Sequence, residues 1–141
     1  MKPENMTLED LLPHRNKMLL IDEILDVDES ATVSKSVVTG KWPLAGSGSV
    51  SPIVLIELAA QTAGINNSIK RIKDRGKQDG NMGWIVGIKS AVFYVDAIPM
   101  GATVITRTQN SFCYEDFREI TGTVTVEGQV VGEITLQLVS A

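Results

Sequence analysis

The sequence predicts an α+β domain in which one long helix is wrapped by a curled antiparallel sheet, and three observations predict it. A single uninterrupted helical stretch, Ser51 to Gly76, carries clear start and stop signals. Two strand-like runs precede it and four follow it, the last two at hairpin spacing. The first half of the helix is apolar on every side, which asks for a sheet that curls round it rather than one that covers a single face.

Each element has its own reason. Thr7 to Leu12 reads as a short helical turn, with Thr7 as cap and Pro13 as stop. Met18 to Val27 (MLLIDEILDV) and Ala31 to Thr39 (ATVSKSVVT) read as strands joined near Asp28 to Ser30. Gly40 to Ser49 is rich in glycine, proline and serine and reads as a loop. Ser51 can then cap the central helix, and Pro52 sits where a missing N–H costs nothing. Ile53, Val54, Leu55, Ile56, Leu58, Ala59, Ala60, Ala63 and Ile65 make its first half a buried segment. Lys70, Arg71, Lys73 and Arg75 crowd its last turns, where positive charge is favoured, and Gly76 can take the left-handed cap.

Lys77 to Asn81 is the exit loop. Gly83 to Asp96, Thr103 to Gln109, Phe117 to Val126 and Val130 to Val139 read as four strands, the last two flanking Glu127-Gly128-Gln129. Alternation in TVTV and ITLQLV gives these strands one buried and one wetter face. Pairing of two protomers would cover sheet edges, so a dimer is expected.

Composition narrows the function. The 141 residues, 43% hydrophobic, suit one globular domain with a real core. A formal net charge of −4 leaves no basic stripe for a nucleic acid. The single cysteine, Cys113, excludes an internal disulfide and a cysteine metal cluster, and one histidine cannot complete the usual transition-metal set, so neither a metal nor a cofactor is expected. The N-terminal stretch lacks the apolar core of a signal peptide, and no apolar run approaches a membrane span, so a cytoplasmic protein is expected.

Among the side chains that carry chemistry, Glu57 stands out as the one ionisable group in the apolar half of the helix, with Gln61 one turn later on the same side as its hydrogen-bonding partner. His14 is the side chain whose unperturbed pKa lies nearest neutrality. Lys41 reads first as a solvated loop lysine, and Cys113, on a strand edge, as inert. Phe93 and Tyr94 read as core residues that can also line a tunnel.

Leu12-Pro13-His14-Arg15 with Met18-Leu19-Leu20-Ile21-Asp22, then Val54 to Gln61 (VLIELAAQ), then Val86-Gly87-Ile88, resemble the hotdog-fold 3-hydroxyacyl-(acyl carrier protein) dehydratases. The resemblance extends to Tyr94 to Gly101 and to the hairpin from Val126 to Glu133, in the same order along nearly the whole chain. One departure stands out. Where the main fatty-acid dehydratases carry a catalytic histidine in a Gly-His-Phe-Pro segment, this chain reads Gly40-Lys41-Trp42-Pro43, and Ser51-Pro52 stands where they have Pro-Gly. The chain is therefore most similar to the divergent dehydratase-like hotdog proteins of aryl-polyene biosynthesis.

The resemblance implies a hydro-lyase acting on 3-hydroxyacyl thioesters borne by an acyl carrier protein, in fatty-acid or polyene-type synthesis. It implies His14 and Glu57 as the catalytic pair, one as base and one as acid in either order. Gly87 would bind the thioester oxygen through its backbone N–H, with Gln61 and Lys41 completing the substrate-binding set. The basic run Lys70, Arg71, Lys73, Arg75 and Lys77 serves equally as a carrier-docking patch or as a helix end that complements the dipole. Two alternatives stay open: a thioesterase in which Glu57 acts without His14, and a catalytically inactive subunit that binds the acyl chain beside an active hotdog partner in a heterodimer.

Overall fold

The computed structural model describes residues 19–75 and 83–140, with the backbone alone described at 67–75, 83, 84 and 140. The expected turn at Thr7 to Leu12, His14, the exit loop and the basic side chains at the helix end lie outside the described residues. Strands β1 (Glu23–Val27), β2 (Ala31–Val37) and β3 (Ser49–Val50) lead into helix α1 (Val54–Arg75). Strands β4 (Gly83–Phe93), β5 (Ile98–Pro99), β6 (Thr103–Tyr114), β7 (Phe117–Val126) and β8 (Gln129–Ser140) follow. Six of these form one antiparallel sheet in the order β1-β2-β6-β7-β8-β4, with α1 packed on its inner face.

The β7–β8 hairpin shows how local chemistry sets register. Val126 pairs with Gln129, leaving Glu127 and Gly128 as the two central residues, both at positive φ (52° and 78°). That is the backbone of a tight hairpin turn whose twist matches the strands, and glycine accepts it at no steric cost. From there Ile120, Val124, Ile134, Leu136 and Leu138 point inward and are buried. Gly122 and Gly132 share that inward face and let the helix come close: a Cβ on Gly122 would stand 3.3 Å from Ala59 Cβ, and one on Gly132 would stand 3.1 Å from Leu55 Cδ1.

The start of α1 follows its sequence signals. The Ile53 N–H donates to Ser51 Oγ (3.3 Å), and the N–H groups of Val54, Leu55 and Ile56 donate to carbonyls three residues back. These are tightened first-turn contacts that satisfy donors a helix otherwise leaves open.

Three expectations need correction. Serine and proline content made Gly40 to Ser49 look like pure loop, but Ser49 and Val50 pair with Pro99 and Ile98 as a second, two-stranded sheet. A pairing two residues long carries no periodicity for a sequence to display. Met18 to Val27 looked like one strand, yet β1 begins only at Glu23, Leu19 to Asp22 having no strand pairing of their own. The front half of α1 was expected to be buried all round, yet Ile53 is 56% exposed and Ile56, Glu57, Ala60 and Gly64 are only half-buried. Spacings of three and four residues put these five on one flank. One chain therefore covers most of the helix and leaves an apolar stripe with Glu57 in its middle.

The helix–sheet interface is also more polar than composition suggests. On β2 the residues buried against α1 are Thr32, Ser34 and Ser36, while Val33 and Val37 are half-exposed on the other face. Thr106 and Thr108 of β6 continue this hydroxyl seam, and Ser34 Oγ lies 2.8 Å from Thr62 Oγ1 of the helix.

Candidate active site

Glu57 lies in the first turns of α1, on the half-covered flank. Its Oε1 accepts a hydrogen bond from Gln61 Nε2 at 3.1 Å, the one-turn pair that the spacing predicts. Gln61 is 1% exposed, and its Oε1 in turn accepts the N–H of Leu20 at 3.0 Å. Leu20 belongs to a segment fastened to β2 twice over, by Asp22 N–H to Lys35 O (3.0 Å) and Val37 N–H to Asp22 Oδ2 (2.6 Å). The carboxylate is thus tied to the sheet through a buried amide.

The remaining candidates fall into separate places. Lys41 is exposed, its N–H donating to Thr39 Oγ1 (3.3 Å), while Trp42 beside it is buried in the core. Gly87 lies on β4 opposite Gln137 of β8, and a Cβ on Gly87 would collide with Oε1 of Gln137. Glycine here makes room for a side chain of its own molecule, a neighbour that the sequence alone does not disclose. Tyr94 is exposed and its hydroxyl donates to Glu133 Oε2 at 3.2 Å, while Phe93 packs half-buried against the core. Cys113 is exposed on β6. His14, the other half of the predicted pair, lies outside the described residues. A groove of about 310 Å³ beneath the β7–β8 turn, lined by Val95, Ile98, Val126, Gln129 and Val131 among others, includes none of these candidates.

Among the described residues strand β4 is an edge of the sheet. Ile85 and Ile88 pair with Leu138 and Leu136 and so share their inward face, yet Ile85 is exposed and Ile88 is 52% exposed. Val86 and Val92 on the same strand are exposed too. An apolar sheet edge is a surface on which another strand can pair.

Sequence comparison decides the family: the profile of the ApeP-like group, described as ApeP dehydratase, matches residues 6–141. The chain belongs to the ApeP-like dehydratases. Within curated proteins this ApeP-like chain is 29% identical to the 3-hydroxyacyl-[acyl-carrier-protein] dehydratase FabZ of Escherichia coli O9:H4 over 136 residues, covering 90% of this chain and 85% of that one. The FabZ of Yersinia enterocolitica is 28% identical, with coverage of 90% and 77%.

Among solved structures, the dehydratase heterocomplex ApeI:P from Xenorhabdus doucetiae matches with a TM-score of 0.87 at 21% identity, covering 96% of this chain and 91% of that one. A hypothetical thioesterase with coenzyme A from Streptococcus pneumoniae matches with a TM-score of 0.63 at 14% identity, covering 84% of each. At such identities the neighbours establish the hotdog fold, which serves both kinds of protein.

Two features of the structure were not foreseen from sequence. Leu20 as the anchor of Gln61 is one, because 41 residues separate the two. The cluster in which Arg118 Nη1 donates to Asn66 Oδ1 (3.2 Å) and Asn110 Oδ1 (3.0 Å), and Nη2 to Ala63 O (3.2 Å), is the other. An arginine and two asparagines on three different elements leave no local signal.

Proposed function

We propose that this chain eliminates water from 3-hydroxyacyl thioesters carried by an acyl carrier protein, at a site closed by a second hotdog subunit. The observation that carries the reading is Glu57, held by Gln61 on an apolar helix flank that one chain leaves half-open. Such a carboxyl can exchange a proton with a substrate while the surrounding apolar wall excludes water. In the elimination a base takes the α-proton, the Cα–Cβ double bond forms, and the Cβ–O bond breaks. The hydroxyl leaves as water with a proton from the acid. Glu57 and His14 divide those two tasks. The Gly87 N–H receives the thioester oxygen as it gains negative charge, and Lys41 belongs to the substrate-binding set. The family membership and the FabZ relatives support the reaction type.

The partner follows from the same flank and from the uncovered β4 edge. Ile85, Val86 and Ile88 would pair with the equivalent strand of a second copy or of another hotdog protein. The exposed Lys41, standing where the resembling enzymes carry histidine, favours one second reading: this chain is the binding half of a heterodimer and the partner brings the histidine. With its carrier protein, the complex would work in the cytoplasm.

The test is the appearance of enoyl thioester when the purified chain receives a 3-hydroxyacyl-loaded carrier protein, first alone and then with an active hotdog partner. Turnover alone supports the main reading. Turnover only in the pair selects the second, and none in either, with the carrier still bound, removes the assignment as a dehydratase. His14→Ala separates dehydratase from thioesterase, since direct attack or water activation by Glu57 has no need of the imidazole.

A further inference from the structure

We propose that Gln61 is a positioning residue that decides which oxygen of Glu57 carries the proton. The inference starts at Leu20, whose backbone N–H can only donate. The Gln61 atom 3.0 Å from it must therefore be the amide oxygen. That assignment leaves no freedom at the other end. The Gln61 atom 3.1 Å from Glu57 Oε1 is then the amide nitrogen, which can only donate. Glu57 Oε1 is an acceptor whether the carboxyl is charged or neutral, and this contact directs a proton on Glu57 to Oε2.

Three features make this a fixed arrangement. Gln61 is 1% exposed, so bulk water does not compete for its amide. Leu20 is equally buried, and the segment it belongs to is fastened to β2 through both the backbone and the side chain of Asp22. Flipping the amide would press its NH₂ against the Leu20 N–H and its oxygen against the carboxylate, so both contacts would turn repulsive together. Glu57 therefore gives and takes its proton at one atom whose direction is set by the sheet, not by the rotamer of a surface glutamate.

As a statement about catalysis this rests on the dehydratase reading; as a statement about the carboxyl it stands alone. The experiment uses both. Infrared spectra of the intact chain, under conditions acid enough to protonate Glu57, isolate its C=O band as the signal missing from Glu57→Gln. In Gln61→Met the carbonyl oxygen loses its donor, and the band is expected to move to higher wavenumber. Because Gln61→Met also strips Leu20 of its acceptor and can compromise folding, Gln61→Glu is measured beside it. That variant keeps the shape and an oxygen for the Leu20 N–H but replaces the NH₂, and the band is expected to move there too.

In turnover assays both variants should lose roughly tenfold or more in kcat with KM little changed, since a misdirected proton slows chemistry and leaves binding intact. A Glu57 band that stays in place in a folded variant overturns the proposal, as does wild-type kcat in Gln61→Glu. A band that moves while wild type makes no enoyl thioester with any partner leaves the Gln61 clamp standing and removes the dehydratase reading instead.

Discussion

Ser34 on β2 donates its hydroxyl to Thr62 on α1 across 2.8 Å of the helix–sheet interface. The direction follows because Thr62 spends its own proton on the Leu58 carbonyl, also at 2.8 Å. Removing the donor and removing the acceptor should therefore cost different amounts. Ser34→Ala loses one net hydrogen bond, about 1 kcal/mol, whereas Thr62→Val strands a buried hydroxyl and costs about 2 kcal/mol. The double variant should recover part of the difference. Denaturant titration of the four proteins closes the cycle, and equal costs for the two single variants would contradict the assignment.

The same seam holds hydroxyls of the opposite kind. The oxygens of Thr32, Ser36 and Thr106 are buried with no hydrogen-bond partner among the described residues. Thr106→Val keeps the shape and removes a desolvated polar atom, so it should raise stability by up to about 1 kcal/mol. A fall in the unfolding midpoint would mean that the hydroxyl is satisfied after all.

Close approach of α1 to the sheet depends on Gly122 and Gly132. Gly132→Val would drive its Cβ to 3.1 Å from Leu55 Cδ1 and should destabilise by about 2 kcal/mol or more through overpacking. Gly122→Ala, against Ala59 Cβ at 3.3 Å, should cost less. Thermal unfolding of both variants orders the two contacts.

Asp28 gives a pH dependence of known sign. The N–H groups of Ser30 and Ala31 donate to its Oδ1 at 2.8 and 2.9 Å and hold its pKa below the ordinary 3.8. A depressed carboxyl adds stability above its unfolded value, and that contribution is lost as pH falls through the folded one. Asp28→Ala should unfold at lower temperature than wild type at pH 7, and the gap should close as the buffer is taken below pH 3.8. A gap of constant size would show that the charge plays no part.

Chemistry and assembly can be separated by substitution. Glu57→Gln should reduce dehydration by about 10²-fold to 10⁴-fold while light scattering reports an unchanged mass. Ile88→Lys, on the uncovered inner face of β4, should shift the mass toward the monomer with the circular dichroism spectrum intact. An Ile88→Lys protein of unchanged mass would place the partner elsewhere.

What sequence could disclose follows the range of each interaction. Strand β7 was legible residue for residue, Phe117 to Val126, because its alternation and the Glu-Gly turn act locally. The Glu57–Gln61 contact was legible for the same reason, being one helical turn long. Alternation in ATVSKSV showed a strand but not that the hydroxyl side faces the helix, since hydrophobicity argues for the valines and only tertiary packing reverses it. The bond from Leu20, the Gln137 side chain over Gly87 and the Arg118 cluster were illegible because each joins residues from distant parts of the chain.

The two bulges in β4, between Ile85 and Gly87 and between Ile88 and Ser90, have a bearing on life in a crowded cell. Each interrupts the regular repeat of the strand, so this edge offers only brief runs of regular backbone. A neighbour shaped to the same irregularities can dock there. An arbitrary extended peptide, or an endless stack of copies, meets broken spacing. A strand broken in this way is a poor template for fibril growth.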